Sequence, residues 1–245
     1  MSFPGTAIGL FSTQKAISTI PTSTFDPKSI SGLLGWYKAD EGVVLNGSTV
    51  LSWQDLSGNN NHLIQNVASQ QPSLKNNALN ILPAISFPIS RNKWLDFTTG
   101  LTTQSFSIFC IIQPGTVTNG ANTILGSNGG GFQYLAQAGS PQYCNKTFVV
   151  YMGGSSSPMP NGSFSQINIK YSSPELSFRL NKAADGTVNT TQSFSTPSLS
   201  SLGRSLPTGN ENFVGDIVEV LIYPALTLPQ IQQVEDYLAS RMVIR

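Results

Sequence analysis

What this chain has little of narrows its function first. Charged residues make up only 10% of the 245 and the formal net charge is +1, where globular chains carry about 25% charged residues. No run of Lys or Arg is long enough to track a phosphate backbone, which argues against nucleic acid and anionic membranes as partners. No apolar run approaches the ~20 residues that span a bilayer, so membrane insertion is not expected. The N-terminus lacks the charged start, hydrophobic stretch and small-residue cleavage site of a signal peptide. Cysteine is scarce. Cys110 and Cys144 cannot build a structural zinc site alone, and no spacing rule pairs them. Cys110 lies in the apolar run Phe106 to Ile112 and reads as a small buried hydrophobe.

Catalytic signatures are missing too. The single histidine, His62, sits in an Asn-rich turn, and no motif sets a Ser or Cys beside it. There is no Gly-x-Ser-x-Gly elbow and no Gly-Lys-Ser/Thr phosphate loop. The glycine cluster Ser127 to Gly131 has no following helix or Lys and reads as a strand connection. A glycosidase needs two carboxyl groups ~5–9.5 Å apart. Asp216 and Glu219 are three positions apart, so a regular strand would point them to opposite faces. Asp40 and Glu41 are adjacent, at a strand end. No catalytic residue is expected.

What fills the space is Ser, Thr, Asn, Gln and Gly. These pave β surfaces without mutual repulsion and suit hydroxyl-rich ligands or close subunit packing; a neutral surface with no partner has the same composition. From about Ser31 onward, short runs rich in branched and aromatic residues alternate with Gly, Pro, Asn and Ser clusters, the spacing of an all-β sandwich. Strands are expected at Leu33 to Ala39, Val50 to Gln54, Ala84 to Phe87, Trp94 to Phe97 and Phe106 to Ile112. Others are expected at Thr123 to Leu125, Phe132 to Leu135, Phe148 to Met152, Phe164 to Tyr171 and Leu176 to Leu180. The strongest is Phe213 to Tyr223. One helix follows it. Thr227 can cap it, Pro229 fits its first turn, and Gln230 completes a Thr-x-x-Gln box. Ile231, Val234 and Leu238, with Tyr237 beside them, form the stripe that packs it on the sandwich.

Residues 1–30 read differently. Pro4, Pro21 and Pro27 with Ser/Thr filling favour an extended arm, which folds back on its own domain or laces onto neighbouring subunits. Residues 31–245 form the second unit.

Two blocks at opposite ends of that unit carry a family resemblance. The first is Gly35-Trp36-Tyr37-Lys38-Ala39-Asp40 with Trp53-Gln54-Asp55-Leu56-Ser57-Gly58-Asn59-Asn60-Asn61-His62. The second is Phe213-Val214-Gly215-Asp216-Ile217-Val218-Glu219-Val220-Leu221-Ile222-Tyr223 and the helix after it. Together they resemble the laminin-G-like branch of the concanavalin A-like lectin/glucanase superfamily. The resemblance implies a jelly-roll β-sandwich used for recognition and adhesion, with a structural carboxylate at Glu219. The compact Glu-x-Asp-x-x-Glu strand of that superfamily's retaining glucanases is absent.

Candidate site residues follow from chemistry. Asp55, Asn59 and Asn61 offer oxygens of the kind calcium accepts, and the same side chains shape turns by bonding their own backbone. Trp36 and Trp53 lie within strands and are expected in the core. Trp94 is the more exposed aromatic candidate for stacking on a sugar ring, with Tyr134 and Tyr143 weaker ones. The expectation is a non-enzymatic structural or adhesion protein with a lectin-like domain. Its setting would be a bacteriophage virion surface, as head decoration, tail or fibre, with the arm docked on other copies or other virion proteins. The alternative is a free, extracellular carbohydrate-binding module recognising cell-surface glycan. A polysaccharide-degrading enzyme comes third.

Overall fold

The computed structural model describes residues 25–90, 92–115, 122–127, 133–135, 146–147, 150–151, 157, 160, 162–189, 198–204 and 212–243. The strands of the first half are β1 (Gly35–Lys38), β2 (Val43–Asn46), β3 (Thr49–Trp53), β4 (Leu63–Ile64), β5 (Ser73–Leu79), β6 (Leu82–Phe87), β7 (Leu95–Thr102) and β8 (Phe106–Pro114). Then come β9 (Thr123–Ser127), β10 (Gln133–Leu135), β11 (Lys146–Thr147), β12 (Val150–Tyr151) and β13 (Ser165–Ser172). The last are β14 (Glu175–Leu180), β15 (Ala183–Asn189), β16 (Ser198–Leu202) and β17 (Gly215–Tyr223), followed by helix α1 (Leu228–Met242). The protein is an all-β sandwich with one C-terminal helix.

Most of the described strands form one curled hydrogen-bonded path, in the order β10-β9-β16-β7-β4-β3-β5-β6-β17-β8-β13-β14-β15, with β1 paired to β17, β2 paired to β3, and β11 and β12 forming a separate two-stranded sheet. The step from β3 to β5 rests on the single pair Thr49–Ser73, so the path folds there into two facing layers. Inward residues of both layers meet in the main core. Trp53, Leu63, Phe97 and Leu125 come from the first layer, and Phe106, Ile108, Ile169 and Ile222 from the second. A second core lies behind the second layer, where Phe109, Ile111, Val218 and Leu221 meet Ile231, Val234 and Leu238 of α1. Strand β8 is therefore covered on both faces, which is why its sequence is mostly apolar, with a continuous run from Ile108 to Ile112, rather than alternating. Cys110 is a free thiol within it. Burial pushes that thiol well above its ordinary pKa.

The helix begins where its sequence signals it. Gln230 Oε1 accepts from the Thr227 N–H at 3.0 Å and from the Thr227 hydroxyl at 2.9 Å. The segment just before β1 also packs on this side. Asp26 caps the short turn Pro27–Ser29, Phe25 lies 6.1 Å from the Tyr237 ring, and the Tyr223 hydroxyl donates to the Pro27 carbonyl. Residues 25–30 thus belong with the sandwich, while residues 1–24 of the expected arm lie outside the described residues, as does Cys144.

Six described strands escape the sequence pattern: β2, β4, β5, β11, β15 and β16. β5 (Ser-Leu-Lys-Asn-Asn-Ala-Leu) and β15 (Ala-Ala-Asp-Gly-Thr-Val-Asn) are largely exposed, so neither needs an alternating apolar face. β4 is two residues long. Most of the expected strand Phe148 to Met152 lies outside the described residues.

One expectation needs correction. Asp216 and Glu219 do not point to opposite faces. The pairing of β17 with β8 shifts register between Ile217 and Glu219, and this bulge adds one residue to the alternation. Ile217, Val220 and Ile222 face the main core, and Val218 and Leu221 face the helix core. Glu219 reaches residues of α1 and Asp216 reaches Lys75, so both acids lie on the helix-side face.

Candidate functional site

Three groups of polar side chains could carry chemistry in the folded chain. The first is the pair of acids on β17. Glu219 is wholly buried under α1. Its Oε1 accepts from Trp36 Nε1 at 2.8 Å and the Tyr237 hydroxyl at 2.7 Å, and its Oε2 accepts from Arg241 Nε at 2.9 Å. Arg241 also reaches Asp40 at 2.5 Å. Burial raises the Glu219 pKa above the ordinary value, against the pull of Arg241 and the three donors. Asp216 is held by Lys75 at 2.6 Å. Each acid is tied to its own cation, so the two act as separate anchors of the helix-side face.

The Asp55–His62 loop is built inward. Asp55 is buried, and each of its carboxylate oxygens accepts two hydrogens. Oδ1 takes the Trp36 and Ser57 N–H groups, and Oδ2 takes the Ser57 hydroxyl and the Asn61 N–H. Asn61 Oδ1 likewise accepts from Thr98 Oγ1 and the Thr99 N–H, while its amide donates to the Gly100 carbonyl. Asn59 Nδ2 donates to the Leu33 carbonyl at 2.8 Å. His62 Nδ1 accepts the Asp55 N–H at 3.0 Å, which leaves its proton on Nε2. The three residues proposed for calcium therefore stitch this loop to the β1 entrance and to β7. A cation here would have to displace backbone donors from Asp55. Among the described residues there is no group of three or more His, Cys, Asp or Glu side chains arranged to hold a metal.

The third group is concave. On the outer face of the first layer an open cleft of about 440 Å³ is lined by residues including Ile64, Gln65, Gln70, Trp94, Asp96 and Arg204. Strand alternation explains it. Leu95 and Phe97 point into the core, so Asp96 between them points out, and Ile64 is paired beside it on β4. The 3₁₀ turn Ala68–Gln70 supplies one wall, fixed where the Trp94 N–H donates to the Gln70 carbonyl at 3.2 Å. Arg204 arrives from beyond β16, whose Ser201 is the register partner of Asp96.

Trp94, Asp96 and Arg204 lock together. Arg204 Nη2 donates to both Asp96 oxygens, at 2.8 and 2.9 Å. The guanidinium carbon lies 4.3 Å from the centre of the Trp94 ring, a stacked cation–π contact. Trp94 Nε1 donates to Asp96 Oδ2 at 3.2 Å. An aromatic wall, an ion pair and the residues Gln65, Asn66 and Gln70 thus border one open depression. Such a mix of apolar surface and a few fixed polar groups is what small-ligand sites use.

Of the aromatic sequence candidates, Trp94 lines this cleft. Trp53 is fully buried as expected, but Trp36 is half-buried and faces α1. Tyr134 is placed only by its backbone, on edge strand β10 of the same layer, with β9 and β16 between it and β7. Its side chain and all of Tyr143 lie outside the described residues. Arg204 was missed. It is 108 positions from Asp96, and no local pattern could have joined them. Of the two cations near Trp94 in the sequence, Arg91 lies outside the described residues and Lys93 donates to the Ser69 carbonyl.

The class this architecture defines is the all-β sandwich, and solved structures agree. Domain 4 of AbnA, a GH43 extracellular arabinanase from Geobacillus stearothermophilus seen with arabinotriose, is similar at TM-score 0.59 and 14% identity, over 83% of this chain and 98% of that one. Trypanosoma rangeli sialidase with the inhibitor DANA is similar at TM-score 0.55 and 10% identity, over 83% of this chain and 32% of the sialidase. The binding domain of Paraclostridial Mosquitocidal Protein 1 is similar at TM-score 0.51 and 13% identity, over 85% of this chain and 52% of that one. This chain spans about a third of the sialidase, and identities this low speak for the fold. No family model matches the chain, and no curated protein matches it.

Proposed function

We propose that this chain is a non-enzymatic glycan-binding β-sandwich that takes its ligand in the Trp94–Asp96–Arg204 cleft. The observation that carries this reading is the cleft itself. Sugars present an apolar C–H face and a rim of hydroxyls, and the cleft offers Trp94 and Ile64 for the first and Asp96 and amides for the second. The resemblance of the two end blocks to the laminin-G-like branch supports the same reading, as does the low charge of the chain. The fold likeness to a domain seen with arabinotriose is a further support. Against catalysis stand the ties of Asp216 and Glu219 to Lys75 and Arg241, which leave neither acid free to act on a glycosidic bond.

The test is a glycan-array screen of the intact chain, with calcium and again with chelator, repeated for Trp94→Ala. Saturable binding that Trp94→Ala abolishes at unchanged melting temperature is the expected result. Loss of wild-type binding in chelator would bring calcium into the site. A blank array from well-folded protein would overturn the reading.

The setting we infer is a bacteriophage virion surface, with the N-terminal arm docked on neighbouring copies. Phe25 packs on Tyr237, so the chain enters the sandwich on the helix side. The cleft lies on the opposite outer face, and an assembly held through the arm would leave it open. Deleting residues 1–24 should abolish assembly while the domain stays folded. Unchanged assembly would favour a free carbohydrate-binding module.

A further inference from the structure

The glycan-binding reading leaves the class of sugar open, and the charge arrangement of the cleft narrows it. Resting on that reading, we infer that the cleft admits neutral sugars and rejects those carrying a carboxylate. Of the described residues that line it, two are charged, Asp96 and Arg204, and they neutralise each other.

Arginine reads a carboxylate through two parallel N–H groups, either Nε with Nη2 or Nη1 with Nη2. Both forks need Nη2. In this cleft Nη2 is engaged by both oxygens of Asp96, and Nε is buried away from solvent with no hydrogen-bond partner among the described residues. The guanidinium is also held over the Trp94 ring, its carbon 4.3 Å from the ring centre. The exposure of the pair points the same way. The Asp96 side chain is 38% exposed and that of Arg204 22%, so an incoming ligand meets the acceptor before the donor.

A carboxylated sugar would have to sit beside Asp96, charge against like charge, or displace it from Arg204. Displacement also breaks the Trp94 Nε1 bond to Asp96. A sugar hydroxyl meets neither obstacle, since it donates to Asp96 and accepts from side-chain amides such as Gln70. Lys93, next in sequence to Trp94, does not open a second route. Its ammonium donates to the Ser69 carbonyl at 2.7 Å and does not line the cleft.

The experiment compares matched probes on the intact wild-type chain by calorimetry or ligand-observed NMR at low salt. Galactotriose and lactose serve as neutral probes, with trigalacturonate and sialyllactose as their carboxylated counterparts and arabinotriose as a further neutral probe. The expected result is that every bound probe is neutral and binds at least about tenfold tighter than its counterpart, as like-charge juxtaposition at a recognition site requires. The gap should narrow as salt screens the Asp96 charge. Asp96→Asn, checked for folding by its melting temperature, frees Arg204 and should shrink or reverse the preference. Equal or tighter binding of the carboxylated probes to the wild type would overturn this inference and leave the glycan-binding reading standing. Failure of every probe, together with a blank array, would overturn both.

Discussion

Deleting the Glu219 carboxylate asks how the helix is fixed to the sheet. In Glu219→Ala, Trp36 Nε1, the Tyr237 hydroxyl and Arg241 Nε lose their shared acceptor at once. Removing one partner of a buried ion pair costs about 3–5 kcal/mol, and each orphaned neutral donor about 1–3 kcal/mol. These do not add, because neighbours in one network relax together. Arg241 also keeps Asp40 at 2.5 Å, which holds the loss toward the low end. We therefore expect about 3 kcal/mol, or a melting temperature lower by roughly 6–12 °C for a chain of this length. Urea unfolding followed by circular dichroism should give a lower midpoint at unchanged slope. Glu219→Gln keeps an oxygen for Trp36 and Tyr237 and should lose about half as much. Pairing Glu219→Leu with Arg241→Met should recover most of the loss, since apolar replacements of a buried pair are often neutral. A cost under about 1 kcal/mol for Glu219→Ala, or full additivity of Glu219→Ala with Arg241→Met, would refute the reasoning.

Other perturbations reach different parts of the molecule. A Cβ at Gly126 would fall 2.2 Å from the Arg204 carbonyl oxygen. Gly126→Ala must therefore move the backbone that carries Arg204, and should cost about 1–3 kcal/mol while altering the near-ultraviolet signal of Trp94; an unchanged spectrum would contradict the packing. Burial raises the Asp40 pKa, but the hydrogen bond and charge of Arg241, with the charge of Lys38, outweigh it and hold the carboxyl below its ordinary 3.8. A depressed folded value stabilises above about pH 4 and is lost as pH falls through it, so the wild-type melting temperature should drop more steeply below pH 4 than that of Asp40→Asn; parallel curves would remove Asp40 from the network. Cys110, buried with its pKa raised by that burial, should alkylate only in denaturant, read by peptide mapping. Labelling of that peptide in native protein would mean that the core opens.

The amino-acid sequence determined the local elements. Branched and aromatic runs broken by turn residues specify strands, and β8 and β17 were legible because burial on both faces favours mostly apolar sequence without alternation. The Thr227–Gln230 box and the Ile231, Val234, Leu238 stripe made the helix equally plain. Polar strands such as β5 and β15 stayed hidden, because largely exposed strands impose no periodic apolar pattern. Trp94 could be picked out as a half-exposed aromatic, but not what surrounds it. Only the tertiary structure decided that Arg204 would stack on it and bind Asp96, through the pairing of β16 with β7. Only the structure decided that a bulge in β17 would set Asp216 and Glu219 on one face. Backbone periodicity is written in neighbouring residues, whereas strand register and bulges bring together side chains far apart in sequence and leave no local trace.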